Sequence, residues 1–307
     1  MKEDNALRAL SELSETDIDI IRHREAHFSG SFSLMIEYYA TEGRGRDPDF
    51  SISRLHELKM IEEKSGQNLA SLTLADDQKE EIEKSRALYQ RLKEIYSKGK
   101  KSRPEEILIA DLILSEEEYP EKEIEKICLL GKRAIPFLIA LMRNEELRNP
   151  LFPGFGKAPS LAIDCLREIK DESAIIALFE EIGHEEVVDE EGALLALREI
   201  GRPAELFLLK VLSSRPITSD NERAAVALIH FKDHQEVSKA AIDLLESQDF
   251  RNTIPLSCYL ALIAEGTHDE TLRERFRKMA LEKGTPKVLQ EDMLMVTRSW
   301  DKKKKAR

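Results

Sequence analysis

Cysteine is scarce in this chain. The three residues, Cys128, Cys165 and Cys258, each lie in an apolar helical stretch and none has CxxC spacing, which argues against a zinc cluster or a disulfide framework. They are expected to be buried thiols. Glycine and proline are also sparse, 13 and 11 in 307 residues, which disfavours a meander of short strands and favours long helices. No apolar run approaches the roughly 20 residues of a membrane span. Met1-Lys2-Glu3-Asp4-Asn5 lacks the basic-then-apolar profile of a signal peptide, so a reducing cytoplasmic setting is expected. Positive charge is in deficit, 47 Lys and Arg against 59 Asp and Glu for a formal net charge of −12. That balance argues against a phosphate-binding groove, which needs concentrated cations to release counterions. The deficit is uneven: residues 1–103 hold 18 basic and 20 acidic side chains, and residues 104–307 hold 29 and 39. Neither nucleic acid nor membrane is expected as a partner.

What the chain has is charge, 35% of residues, alongside 41% apolar side chains, the mix of many amphipathic helices each exposing a wide face. It also has an internal period. An apolar helix with i, i+3, i+4 spacing runs into a small or acidic turn, and a second apolar helix follows at once. The turns fall at Gly131, Asp171, Gly201, Asp233 and Gly266, spaced 40, 30, 32 and 33 residues apart, close to two short helices with their connections. The long first interval absorbs residues 144–159, whose Leu151-Phe-Pro-Gly-Phe-Gly-Lys-Ala-Pro159 stretch cannot be regular helix.

In the first unit Ile124, Ile127, Leu129 and Leu130 lead to Gly131, and Pro136 sits in the first turn of the following helix, where its missing N–H costs little. In the second, Asp171 or Ser173 is placed to cap the helix of Ile175 and Leu178. Pro203 opens the second helix of the third unit, and the fifth copy is more polar, as an end repeat facing water should be. The phrase Leu130-Gly-Lys-Arg-Ala-Ile-Pro-Phe-Leu-Ile139, echoed at 169–178 and 200–209, resembles the short HEAT repeats first recognised in phycobilisome lyases. The resemblance covers about half the chain. It implies an all-α fold, a HEAT-like α-solenoid of about five helix pairs over residues 104–300, with the second helix of each pair lining its inner surface. It also implies another protein as partner, since such units are common in scaffolds and adaptors. The alternative it carries is an enzyme in a HEAT-repeat fold, bilin-lyase-like or a metal-dependent modifier.

Residues 1–103 read as a helical N-terminal region without the repeat. Helices are expected over 6–13, 17–28, 31–40, 52–64 and 76–96, with N-caps at Ser14 and Ser51. Loops are expected at 41–49 and at the basic, turn-rich 97–104, which marks the junction. A helix over 286–300 should cap the stack, and residues 301–307, Asp-Lys-Lys-Lys-Lys-Ala-Arg, are expected as a basic disordered tail.

No catalytic, cofactor or metal site is expected. His23 and His27 share one helix face at i, i+4, a spacing that lets two imidazoles share a metal. Glu25 is at the wrong offset for a metalloprotease base, and no third ligand is evident, so the pair reads as an ordinary exposed face. His184-Glu185, with His56-Glu57 outside the repeats, is too little for a di-iron arrangement. Two candidate partner-binding features remain. The loop of Phe152, Phe155 and Lys157 could present its rings as anchors, or the rings could fold back over the joint with the N-terminal region. The acidic run that includes Glu185, Glu186, Asp189 and Glu190 could steer a basic partner or form a solvated edge.

Overall fold

The computed structural model describes residues 13–41, 50–97, 102–115, 117, 119–183 and 189–305. All regular structure among them is helical, so the all-α expectation holds, and no described helix is long and apolar enough to cross a membrane. The chain forms two compact units, Met1–Cys165 and Leu166–Arg307. The junction expected near residue 103 falls inside the first of them. The expected helix over 6–13 lies outside the described residues.

The first unit opens with α1 (Glu15–His27), α2 (Phe32–Thr41), α3 (Ile52–Ser65), a short α4 (Leu69–Thr73) and the long α5 (Asp76–Ser97). Ser14 caps α1 in a reciprocal box with Asp17, and the Ser51 hydroxyl accepts from the Arg54 amide at the start of α3. Both caps satisfy amide donors that a helix start leaves open. α6 (Pro104–Leu114), α7 (Glu121–Cys128) and α8 (Ile135–Met142) follow. Leu129, expected with the apolar face before Gly131, is 88% exposed, because α7 ends at Cys128 and the next residue already belongs to the turn.

α1 is buried on more sides than an amphipathic surface helix. Ile20, Ile21, His23, Arg24, Ala26 and Asp17 are all inside, so polar groups had to be brought in and paired. Arg24 is fully buried. Its guanidinium donates to Glu62 of α3, to Glu25 at 2.6 Å and to Asn68, the N-cap of α4, at 3.3 Å. It also lies 4.3 Å over the Phe32 ring of α2, a favourable cation–π placement. Glu25 continues the network to Arg86 of α5 at 2.7 Å, and Asp17 takes a two-pronged bond from Arg54 at 2.7 and 2.8 Å. Four helices thus meet α1 through charge, over an apolar floor of Ile20, Ile21, Met35, Leu55, Leu58 and Leu69.

α9 (Ala158–Ile169) contains the boundary between the units. In the second unit α10 (Ile175–Glu180), α11 (Glu190–Ile200), α12 (Arg202–Leu212), α13 (Ser219–Leu228) and α14 (Gln235–Leu245) follow in turn. Then come the short α15 (Gln248–Asn252), α16 (Leu256–Ala264), α17 (Glu270–Leu281) and α18 (Lys287–Lys305). α10 packs on α11, α12 on α13, α14 on α16, and α18 on both α16 and α17. Alanines are the spacers here: Ala193, Ala196, Ala204, Ala224, Ala225 and Ala241 are fully buried, allowing the helix axes to approach closely.

Polar links in this unit recur at nearly one repeat. Arg202 to Glu236 and Arg215 to Asp249 each span 34 residues, Lys232 to Glu265 spans 33, Arg275 to Asp243 spans 32 and Arg251 to Glu282 spans 31. Such surface pairs contribute little energy individually, yet they record that residues one period apart are neighbours. Between successive pairs, the buried Asn221 amide of α13 donates to the carbonyls of Leu212, Val211 and Ser214, closing the open C-terminal end of α12. Trp300 is buried against Phe276 and donates to the Glu265 carbonyl at 2.8 Å. α18 runs on through Lys305, so residues 301–305 continue as helix where an irregular tail was expected. Lysine is a good helix former, and Asp301 is tied to Arg277 at 3.4 Å.

Because Arg24 neutralises two part-buried carboxylates, its removal should leave Glu62 without its ion partner and Glu25 with Arg86 alone. Arg24→Met is expected to cost about 3–5 kcal/mol, read as a shift in urea-unfolding midpoint followed by circular dichroism. A loss below about 1 kcal/mol, the scale of an exposed pair, would show that the network is not the tie between these helices.

Candidate functional site

Several aromatic residues of the first unit, Phe28, Tyr39, Phe50, Tyr89 and Phe155, gather around His23 and His27 at the C-terminal end of α1. The His23 ring Nε2 is 2.6 Å from the Tyr39 hydroxyl, and the ring lies among Phe28, Phe50 and Phe155. The His27 ring centroid is 4.3 Å from that of His23 and 4.6 Å from that of Phe155. His27 Nε2 is 3.1 Å from the Pro150 carbonyl and Nδ1 is 2.7 Å from the Tyr89 hydroxyl. A carbonyl only accepts, so the neutral ring carries its proton on Nε2 and receives the tyrosine hydroxyl at Nδ1. The pair read from sequence as an exposed face is therefore drawn inward: His23 is buried and His27 half-buried.

Burial and the neighbouring His27 hold His23 well below the ordinary histidine value, and burial brings His27 down to about 4. Both rings are neutral at pH 7. Among the described residues no three His, Cys, Asp or Glu side chains come together as a metal site.

The loop over 144–159 is drawn into the first unit by polar bonds. Ser85 donates to the Leu151 carbonyl at 2.7 Å, and Asn149 donates to Glu81 at 2.6 Å. Glu81 in turn pairs with Arg22 of α1. Phe152 is consequently buried, at 3% exposure, while Phe155 is half-buried against the two histidines. Lys157 stays exposed. Phe152 and Phe155 thus take the folded-back arrangement, and no fully exposed ring projects from this loop.

Beside the two histidines lies a cavity of about 580 Å³ walled by His27, Phe28, Tyr38, Tyr89, Ile113 and Phe155. Its place could not be read from periodicity, since its walls come from α1, α2, α5, the end of α6 and the 144–159 loop. The one available signal was the concentration of Phe28, Phe32, Tyr38, Tyr39, Phe50 and Tyr89 in a region without the repeat.

In the second unit the acidic run divides. Glu185 and Glu186 lie outside the described residues. Asp189 caps α11, accepting from the Gly192 amide at 2.7 Å, and Glu190 accepts from the Gly183 amide at 3.1 Å. Both carboxylates thus have local structural bonds. The more conspicuous surface is apolar: Ile176 on α10 is 59% exposed and Leu206 on α12 is 51% exposed. Counted from their turns at Asp171 and Gly201, both occupy the fifth position onward, and the two helices adjoin through Phe179 and Phe207, 5.4 Å apart. Counted the same way from Asp233, the fifth position on α14 is Ser238, which is buried, and the exposed Lys239 follows it. Against known proteins, the chain matches no family model and no curated protein.

The buried histidines make stability pH-dependent with a definite sign. Unfolding exposes rings that titrate near 6.5, while His27 titrates at about 4 in the fold. Between those values the unfolded chain binds more protons, so stability is full above about pH 6.5 and falls on acidification towards pH 4. His27 contributes up to about 3 kcal/mol to this loss. Urea titrations from pH 7.5 to 4.5 should show it, and His23→Gln/His27→Gln should flatten the slope. An equal slope in the double variant would assign the acid sensitivity to carboxylates instead.

Proposed function

We propose that the chain is a protein-interaction scaffold built on HEAT-like repeats, with the second helices of successive pairs as its docking surface. Support for the repeat reading comes from the polar links one period apart, Arg202 to Glu236, Lys232 to Glu265 and Arg275 to Asp243. They are what stacked helix pairs of about 33 residues would produce, with each pair unable to bury its apolar faces alone.

The observation that carries the functional reading is the matched exposure of Ile176 and Leu206. A single exposed aliphatic residue is ordinary on any surface. Two at equivalent positions of adjoining second helices are different, because together they leave the same edge of both helices in water. Such side chains, bordered by the charged Glu180 and Lys210 one turn further along, supply an apolar centre and a polar rim, the composition of a protein-binding patch. The partner is another protein presenting an apolar side chain to that centre. No reaction is implied by this surface.

Ile176→Asp/Leu206→Asp is expected to leave helicity and the unfolding midpoint unchanged, since both side chains are already exposed. The same variant should weaken capture of a co-purifying protein about tenfold or more, the scale of a hot-spot pair. Crosslinking in native lysate followed by mass spectrometry compares the two. If the same proteins are recovered in equal yield with both chains, docking does not use these helices.

A further inference from the structure

The cavity beside His27 has a chemistry of its own, independent of the second-unit surface. Four aromatic rings line it, those of Phe28, Tyr38, Tyr89 and Phe155, and an aromatic face carries the negative side of the ring quadrupole. Two helices end at it: α1 delivers His27, Phe28 and Ser29, and α6 delivers Ile113, Leu114 and Ser115. Helix C-termini carry a partial negative charge, which at α1 is met in part by Arg86 donating to the Glu25 carbonyl at 3.0 Å. The one formally charged residue among the described lining is Glu37, an acid, and no lysine or arginine is among them. His27 adds no positive charge at neutral pH, being held near 4. The one formal charge within the described lining is therefore negative.

The loop that completes the cavity is held in a costly conformation. Phe155 has φ +52°, between Gly154 at +85° and Gly156 at +79°. A left-handed backbone is disfavoured for any residue with a Cβ. The two glycines have a separate reason to be there: a Cβ on Gly154 would stand 3.1 Å from the Ile113 carbonyl oxygen, and one on Gly156 would stand 2.8 Å from that of Arg148. Close backbone approach on both sides thus fixes the loop, and the left-handed turn at Phe155 sets its ring against His27 as a cavity wall. Strain of this kind persists only where the surroundings over-determine it, and it gathers at ligand sites.

We propose that this cavity binds a small organic cation, an ammonium group on an apolar skeleton, held by cation–π contact with Phe155, Tyr89 and Phe28 and by the negative potential of the α1 and α6 ends and Glu37. A volume of about 580 Å³ lies in the usual range for small-molecule pockets, and aromatic walls around a cation are a recurrent solution for quaternary ammonium groups.

The test uses the full chain and three probes: choline, benzyltrimethylammonium, and 3,3-dimethylbutan-1-ol, the uncharged isostere of choline. Binding is followed by saturation-transfer NMR and titration calorimetry. Both cations are expected to bind, with choline at least about tenfold tighter than the neutral alcohol, the margin a desolvated cation–π contact supplies. Phe155→Gly keeps the left-handed backbone without strain while deleting the ring, and is expected to weaken both cations about tenfold. Glu37→Gln, on an exposed side chain, serves as a second variant that does not touch the packing, and should weaken cations while leaving the alcohol unchanged. The proposal is overturned if neither cation binds up to about 10 mM, a ceiling that even small ligands in fitted sites surpass. Equal affinity for choline and the alcohol would overturn it too, marking the cavity as merely apolar, as would cation binding that both variants leave intact.

Discussion

The first unit depends on one buried guanidinium. Arg24 has no exposed surface, and the price of withdrawing a cation from water is high unless its partners are close and numerous. Its partners are supplied by four other places in the chain: Glu62 of α3, Asn68 at the start of α4, the Phe32 ring of α2, and Arg86 of α5 through Glu25. Each is useful only if its helix is in place. A buried ion pair is weak evidence for net stability, but an arrangement that fails when any member is absent specifies a particular packing over its alternatives. The same logic extends to Asp17 with Arg54 and to Glu81, shared between Arg22 and Asn149. The histidines sit at the end of this charged spine, and their burial follows from the helices it gathers.

The second unit is built on the opposite principle. Its interior is largely apolar; of its buried polar groups Asn221, Ser238 and Glu205 have bonds close at hand, while the buried Ser257 hydroxyl has no partner among the described residues. Glu205 occupies the position that Ile175 fills in the preceding pair. It is tolerated because Arg202 at 2.6 Å and His234 at 2.9 Å meet its carboxylate. Repetition makes such a unit insensitive to any single contact, whereas the first unit concentrates its constraints around α1. A periodic apolar body suits a docking surface, and a non-periodic polar one suits a shaped cavity.

That contrast also explains what could be read from the sequence. Helix positions, the caps at Ser14 and Ser51, the Asp171 cap and the turn positions all depend on neighbours within a few residues, and in the N-terminal region the expected bounds of α1, α2, α3 and α5 agree with the observed ones within a residue or two. Burial of His23 and His27 depends on Tyr39, 16 residues on, Tyr89, 62 residues on, and Pro150, 123 residues on. Two histidines spaced i, i+4 beside Arg22, Arg24 and Glu25 look like a solvated face unless those distant partners are known. The folded-back loop is equally non-local, since Ser85 and Glu81 hold residues more than 60 positions away. The exposure of Ile176 and Leu206 was hidden for a different reason: apolar periodicity identifies a helix face, but the width of that face, and so which of its edges meets water, is set by the neighbouring pair.

The neutral His27 and the strained loop are parts of one arrangement. A neutral ring with its proton on Nε2 satisfies the Pro150 carbonyl and still offers Nδ1 as an acceptor to Tyr89. A protonated ring would keep the first bond and reverse the second, with Nδ1–H donating to the Tyr89 oxygen and its hydroxyl hydrogen needing another acceptor. Burial prevents that protonation near pH 7, so the Tyr89 ring and the Phe155 turn are fixed from the same imidazole, one through Nδ1 and the other through ring contact and the Pro150 carbonyl. Two walls of the cavity are therefore set by a group that is itself uncharged, leaving the surrounding π faces and helix ends to determine its potential.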